Sequence, residues 1–429
     1  MHLHWLYLKN DLMLKNKVIL LLVVYLIPFV LFAQTSSYDM VSQMGRGINL
    51  GNVFSAPIEG NWAAAVEEQY FIDIAAAGFT NVRIPIDFFG ARTTGDTSGY
   101  SSTAGTAGNY SGTSADYVVS SVYLDRIQQV IDWSLNQGLV TIIDLHGSTL
   151  KSEFIYTFDS GESEYTHPTS AKRAADNEKF RAIWTQVANR FKNHSENLLF
   201  EVINEPYFHM SKTDMDTLNT DILAIIRASG VSNGTRNVIV TGGTSASHEA
   251  PLQIEPSIIS SDSYLIATFH YYQPFNFTAS SREQYNNFVF SDDQKDLITE
   301  RFSQLKTWSE DNDIPMYLGE FGADNENGVN YSQGSVGEFG GPFNSDRVEY
   351  HRFIAEEAIA NNFAFSAWCA GNKSTKTISL RNDNPNNSSI NPYTNEIINE
   401  NWIDDVKDAL IGCPDSELIQ NPNFDCIDI

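Results

Sequence analysis

Residues 123–146 read Tyr-Leu-Asp-Arg-Ile-Gln-Gln-Val-Ile-Asp-Trp-Ser-Leu-Asn-Gln-Gly-Leu-Val-Thr-Ile-Ile-Asp-Leu-His. Ile127, Val130, Ile131 and Leu135 recur at the i, i+3, i+4 spacing that puts them on one face of a helix. The run Val140–Leu145 that follows is short and apolar, as expected of a strand buried in a parallel sheet, and it ends on the polar His146. Outward from this stretch the same alternation recurs. Further strands are predicted at Gly47–Leu50, Asn81–Pro85, Leu198–Ile203, Asn237–Thr241, Leu265–Phe269, Met316–Gly319 and Ala364–Cys369, which makes eight with the quoted one. Helices are predicted between them at Ala63–Ala77, Tyr123–Gln137, Asn177–Phe191, Met215–Ser229, Gln294–Asn312 and Arg347–Ala360, the fifth of them weakly marked. Eight β/α units over roughly 370 residues fit an α/β chain folded as a (β/α)8 TIM barrel with loop insertions. A doubly wound sheet is the competing fold. It expects a glycine-rich phosphate turn after the first strand, where this chain has Gly51-Asn52-Val53-Phe54.

Around that frame, 53 acidic and 27 basic residues give a net charge of −26, and no basic run stands against it. Nucleic acid and anionic membrane surfaces are therefore excluded as partners. Three cysteines are too few for a disulfide scaffold. Cys369 reads as a buried thiol, while Cys413 and Cys426 share one tail and can pair in an oxidising compartment. Lys15 and Lys17, the apolar run Val18–Phe32 and the small Ala33 have the three parts of a secretory signal peptide spanning 1–33. An uncleaved anchor is the alternative, and Met13 is an alternative start. The expected product is secreted, extracellular or periplasmic, and monomeric, with no membrane contact once the signal is cleaved. The barrel is assigned to 38–412 and a short tail to 413–429, whose Asn421-Pro422-Asn423-Phe424 looks like the opening of an appended module. Two insertions, Gly90–Asp116 and Asn372–Asn401, follow strands and are expected to rim the catalytic face.

The residues at the strand C-terminal ends carry the chemistry. They are Arg83, His146, Asn204, Glu205, His270, Tyr272, Glu320 and Trp368, at the end of a barrel where catalytic groups gather. Each alone has a structural explanation, as an ion-pair partner, a core histidine or a packed indole; together they do not. Glu205 and Glu320 follow strands four and seven, across the mouth from one another, and paired carboxyls about 5 to 5.5 Å apart can cleave a glycosidic bond with retention. Arg83 and the Tyr272 hydroxyl are expected to hold Glu320 ionised as nucleophile. Glu205, facing that charge, is expected to keep its proton to a higher pH and serve as general acid, then as base. Trp62, Tyr207, Tyr271, Phe275 and Trp402 are candidate sugar platforms beside Trp368.

This set resembles glycoside hydrolase family 5, the retaining β-glycanases with catalytic glutamates after strands four and seven. The resemblance runs from Gly47-Ile48-Asn49-Leu50-Gly51-Asn52 through Val82-Arg83-Ile84-Pro85 and Asp144-Leu145-His146 to Asn204-Glu205-Pro206. It continues through His270-Tyr271-Tyr272 and Gly319-Glu320-Phe321-Gly322 to Trp368. It implies Glu205 as acid/base, Glu320 as nucleophile and Asn204 as the group holding the substrate 2-hydroxyl, with Arg83, His146, His270, Tyr272 and Trp368 in the remaining functional positions. Gly147 stands where many members have a second histidine, which bears on substrate subgroup. The expected activity is a secreted endo-β-1,4-glucanase acting on a neutral β-glucan, with β-mannan, xyloglucan and mixed-linkage glucan as alternatives within the same chemistry. From a different class, a non-catalytic glycan-binding barrel would lack a glutamate or the arginine. No cofactor or metal is expected, since no His-Glu-x-x-His or clustered His/Asp spacing is present.

Overall fold

The structure, a computed structural model, describes residues 34–97, 113–147, 149, 171–206, 210–243, 246–384 and 386–412. Eight strands close into one parallel barrel in chain order: β1 (Arg46–Asn49), β2 (Asn81–Ile86), β3 (Val140–Leu145), β4 (Leu198–Glu201), β5 (Val238–Val240), β6 (Leu265–His270), β7 (Met316–Glu320) and β8 (Ala364–Ala367). β1 completes the ring by pairing with both β2 and β8. These are the eight predicted runs. The largest differences are at β4 and β8, which each end two residues early, and at β5, which loses Asn237 and Thr241.

Side chains alternate along each strand, so every second residue faces the axis. Val140, Ile142, Leu199, Ile239, Ile266, Tyr317 and Ala364 form the apolar filling of the lower barrel. A helix not anticipated from the sequence, Ser37–Met44, adds Met40, Val41 and Met44 to that layer. Its N-cap Ser36 accepts a hydrogen bond from the Asp39 N–H, satisfying one orphan donor of the first turn. The outward-facing set, including Ile84, Ile143, Phe200, Phe269 and Leu318, packs against the apolar helix stripes, Ile127, Val130 and Ile131 among them. Toward the C-terminal end of the strands the axis-facing positions turn polar, with Asn49, Arg83, Asp144, Glu201 and His270 all buried. An apolar floor thus carries a polar mouth.

The insertion Asn372–Asn401 begins after β8 and lies against the loops after β7 and β1. It forms a two-stranded antiparallel ribbon, β9 (Ser389–Ile390) with β10 (Ile397–Ile398), and then docks on the outside of the barrel. Asn384 donates to the Ala65 carbonyl, and Asn401 donates to Asp73 Oδ2 at 2.9 Å on helix Glu68–Ala76. Part of the segment meets the expectation of a rim, since the Ile390 N–H donates to the carbonyl of Tyr331 and the Tyr393 hydroxyl accepts from Asn327, both in the loop after β7 and each at 2.7 Å, while Asn401 runs to the outer helix. Its buried Asn372 and Asn387 donate to the Ser388, Leu380 and Arg381 carbonyls within the segment, which fixes it as a strap. The segment 1–33, the central part of the other insertion (98–112), Tyr207 and the tail with Cys413 and Cys426 lie outside the described residues. Among the described residues no helix is long and apolar enough to cross a membrane.

Candidate active site

Arg83 organises the mouth. It faces the axis from β2, has no exposed surface, and spreads its guanidinium across side chains from four other strands or strand ends. Nε and Nη2 donate to the two oxygens of Glu201 at 2.7 and 2.9 Å, a bidentate pair. Nη1 donates to Asn49 Oδ1 at 3.1 Å and to Glu320 Oε1 at 2.7 Å. Nη2 also reaches Asp144 Oδ2 and Asn204 Oδ1, each at 2.8 Å. Burial alone would disfavour this cation, but Asp144, Glu201 and Glu320 push its pKa well above the ordinary value. The same exchange acts on its partners. Burial raises Asp144, yet Arg83 and His146 bring it below the usual carboxylate range, whereas burial wins for Glu201 and pushes it up.

Glu320 owes its direction to an irregularity in β7. Tyr317 belongs to the axis-facing layer, so strict alternation would turn Glu320 outward. Instead the register slips between the pairs Phe269–Leu318 and His270–Glu320, leaving Gly319 as an extra residue. A bulge of this kind re-aims the side chain that follows it. Only glycine fits there, since a Cβ on Gly319 would lie 2.8 Å from His270 Nε2 and 3.1 Å from Thr268 Oγ1. Glu320 then receives Arg83 on one oxygen and the Tyr272 hydroxyl on the other, at 2.9 Å.

Glu205 stands differently. Its side chain is 29% exposed, and His270 Nδ1 lies 2.9 Å from its Oε1 and 3.7 Å from Glu320 Oε2. Burial pulls the His270 pKa down, but Glu320 and the hydrogen-bonded Glu205 more than offset it, so the net shift is upward. The pair His270–Glu205 thus shares its hydrogen bond at a position where protons are readily exchanged. One oxygen of Glu205, one of Glu320 and a nitrogen of His270 lie within 4.8 Å of one another. The trio resembles a metal-ligand set, but both Glu320 oxygens already accept hydrogen bonds, one of them from a guanidinium. That donor set is filled by protons and a fixed cation, which disfavours a dication beside it.

On the far side, His146 Nδ1 meets Asp144 Oδ2 at 3.0 Å and its ring stacks on Trp368 at 5.9 Å and 8°. Gly51 has no side chain because one would lie 2.7 Å from the Cys369 carbonyl and 3.0 Å from the Trp368 indole.

All eight residues predicted from the sequence lie at the mouth or in its hydrogen-bonded support. Two of the proposed sugar platforms can be located against it. Tyr271 points away from the axis into Phe302, with its hydroxyl on Arg301, and Trp402 packs on Phe79 at the opposite end of β2, so neither is a platform. Both are interior packing. Phe275 and Trp62 are exposed, and Cys369 is a buried free thiol. Asp144, Glu201 and Asn49 belong to the site although the sequence reading did not assign them to it.

A family model for cellulase, glycosyl hydrolase family 5, matches residues 42–374. The chain belongs to that family. Endoglucanase H of Acetivibrio thermocellus is 35% identical to this family 5 chain over 334 residues, a match that covers 78% of the chain and 30% of that protein. Endoglucanase A of Ruminococcus albus is 28% identical over 309 residues, covering 68% of this chain and 75% of that one. Among solved structures, a hyperthermophilic endo-β-1,4-glucanase in complex with substrate superposes with a TM-score of 0.63 at 25% identity, covering 88% of this chain and 99% of the other.

Proposed function

We propose that this family 5 chain is an exported endo-β-1,4-glucanase that cleaves internal bonds of a neutral β-glucan with retention. The observation that carries the reading is the pairing of two carboxyl groups with oxygens within 4.8 Å and unlike partners. Glu320 accepts from a guanidinium on one oxygen and a phenol on the other, which aims and holds it as an attacking group; Glu205 faces the cleft with His270 beside it, the setting of a group that trades protons.

In the first half-reaction a Glu320 oxygen attacks the anomeric carbon while Glu205 gives its proton to the departing glycosidic oxygen. A glycosyl ester forms and the aglycone leaves as a neutral alcohol. In the second, Glu205 takes a proton from water as that water attacks the same carbon, and Glu320 is released as carboxylate. The Arg83–Asn204 bond occupies the amide oxygen and leaves Nδ2 as the donor for the substrate 2-hydroxyl. Trp368, braced by His146, offers its ring to the apolar face of the sugar. The names of the two relatives and of the solved neighbour support a glucan, and a net charge of −26 suits an uncharged polymer. The Lys15–Ala33 pattern supports export.

A panel of soluble β-glucan, β-mannan, xyloglucan and mixed-linkage glucan, with product lengths followed over time, tests the assignment. Mid-length oligomers appearing first from the β-1,4-glucan, at a rate unchanged by excess chelator, are expected. Preference for mannan would reassign the substrate, release of single units from chain ends would remove the endo label, and loss of rate with chelator would return a metal to the mechanism.

A further inference from the structure

We propose that Asp324, buried in the loop after β7, and the half-buried Lys376, in the loop after β8, are positioning residues that hold Tyr272 against Glu320. The proposal depends on the reading of Glu320 as nucleophile given above. Lys376 Nζ donates to Asp324 Oδ1 and, at 2.7 Å, to the backbone carbonyl of Thr278 in the loop after β6. The Asp324 N–H donates to that same carbonyl at 3.0 Å. Thr278 in turn donates its hydroxyl to the Tyr272 carbonyl at 2.6 Å, and the Tyr272 phenol reaches Glu320 Oε2. Three loops therefore converge on one residue whose side chain touches the reacting group.

The carboxylate of Asp324 is saturated. Besides Lys376 it accepts from Thr375 Oγ1 at 3.0 Å and from Ser281, through both its N–H and its hydroxyl. Burial would raise its pKa, but Lys376 and the Ser281 donors bring it below the ordinary carboxylate value, so it stays charged. Asn325 stitches the same region with its side chain, donating to the Val329 and Ser374 carbonyls and to Thr377 Oγ1. The other cations near Lys376, Arg282 and Arg347, do not reach Asp324 by any hydrogen bond found among the described residues. Well-packed apolar residues commonly stabilise a fold as well as a buried ion pair does, so stability alone gives little reason for a charge pair here. What the pair adds is direction: its hydrogen bonds fix Thr278, whose hydroxyl holds the Tyr272 carbonyl and so the residue whose phenol reaches Glu320. Neither residue touches substrate-facing atoms.

The test is a mutant cycle in the full chain with Thr278→Val, Lys376→Met and Tyr272→Phe, alone and combined. Thr278→Val keeps the ion pair, so it answers the question even where Lys376→Met melts early. Each single change at Thr278 or Lys376 is expected to lower kcat by about tenfold with KM within about twofold, the pattern of an interaction used mainly in the transition state. In the Tyr272→Phe background the same changes should cost less than about twofold, since coupled residues are not additive. Full additivity, or a change in KM alone, would overturn the positioning role while leaving the nucleophile assignment standing. Wild-type kcat/KM in Tyr272→Phe itself would instead count against the reading of the Glu320 site.

Discussion

Arg83 joins three carboxylates and two amides from four other strands or strand ends, and no other type of side chain has its fork of five donors. Arg83→Lys keeps the charge but has three donors in a compact head, so Glu201 or Asp144 is left buried without its partner. Breaking a buried network of this kind costs about 3 to 5 kcal/mol, and we expect that loss in urea unfolding together with a fall in kcat/KM of about a thousandfold. Unchanged stability would show that water or rearrangement replaces the fork. At this scale the sequence was legible where a polar residue follows an apolar run, as Asn204 and Glu205 follow Leu198–Ile203. It was not read where the charge sits inside the run, as Glu201 and Asp144 do. The usable signal was there: a lone carboxylate in an otherwise apolar parallel strand cannot face the helix layer unpaired, so it must face the axis and a cation.

Among the elements, β7 shows what periodicity alone misses. Its run Met316–Gly319 marks the strand correctly, but only the paired register reveals Gly319 as a bulge and so explains why Glu320 faces inward. Helix Asn344–Ala360 holds a second consequence. His351 packs under Phe321, with its Nδ1 on the Arg347 carbonyl, and burial, aided by Arg347, lowers its pKa to about 3. Below the unfolded value of about 6.5 the unfolded chain takes up a proton that the native histidine refuses, so stability drains away as pH falls from there toward 3. At pH 5 the loss from this one group is about 2 kcal/mol. Asp73 and Asp176, both raised to about 6 chiefly by burial, act with the opposite sign over part of that range, so the total curve mixes terms. The difference between wild type and His351→Phe isolates the histidine. Denaturant titrations from pH 7 to 4.5 should show the variant losing less stability, and parallel curves would contradict a neutral buried imidazole.

For the molecule as a whole, eight alternating units were enough to predict a closed barrel, because helix and strand periods in strict order leave few topologies. The strap Asn372–Asn401 was harder, since asparagine-rich sequence reads as loop wherever it lies. Its path is set by the Asp73 carboxylate on helix Glu68–Ala76 and the Ala65 carbonyl in the turn before it, which are distant in sequence. Closure is what brings Glu205 and Glu320 together across 115 residues of chain. Glu320→Ala, assayed with and without azide on a β-glycoside with a good leaving group, tests that pairing most directly. Turnover should vanish in the variant and return in part with azide, giving the α-glycosyl azide through attack at the vacated position. Substantial turnover without azide, or a rescued product of β configuration, would contradict Glu320 as the group that attacks.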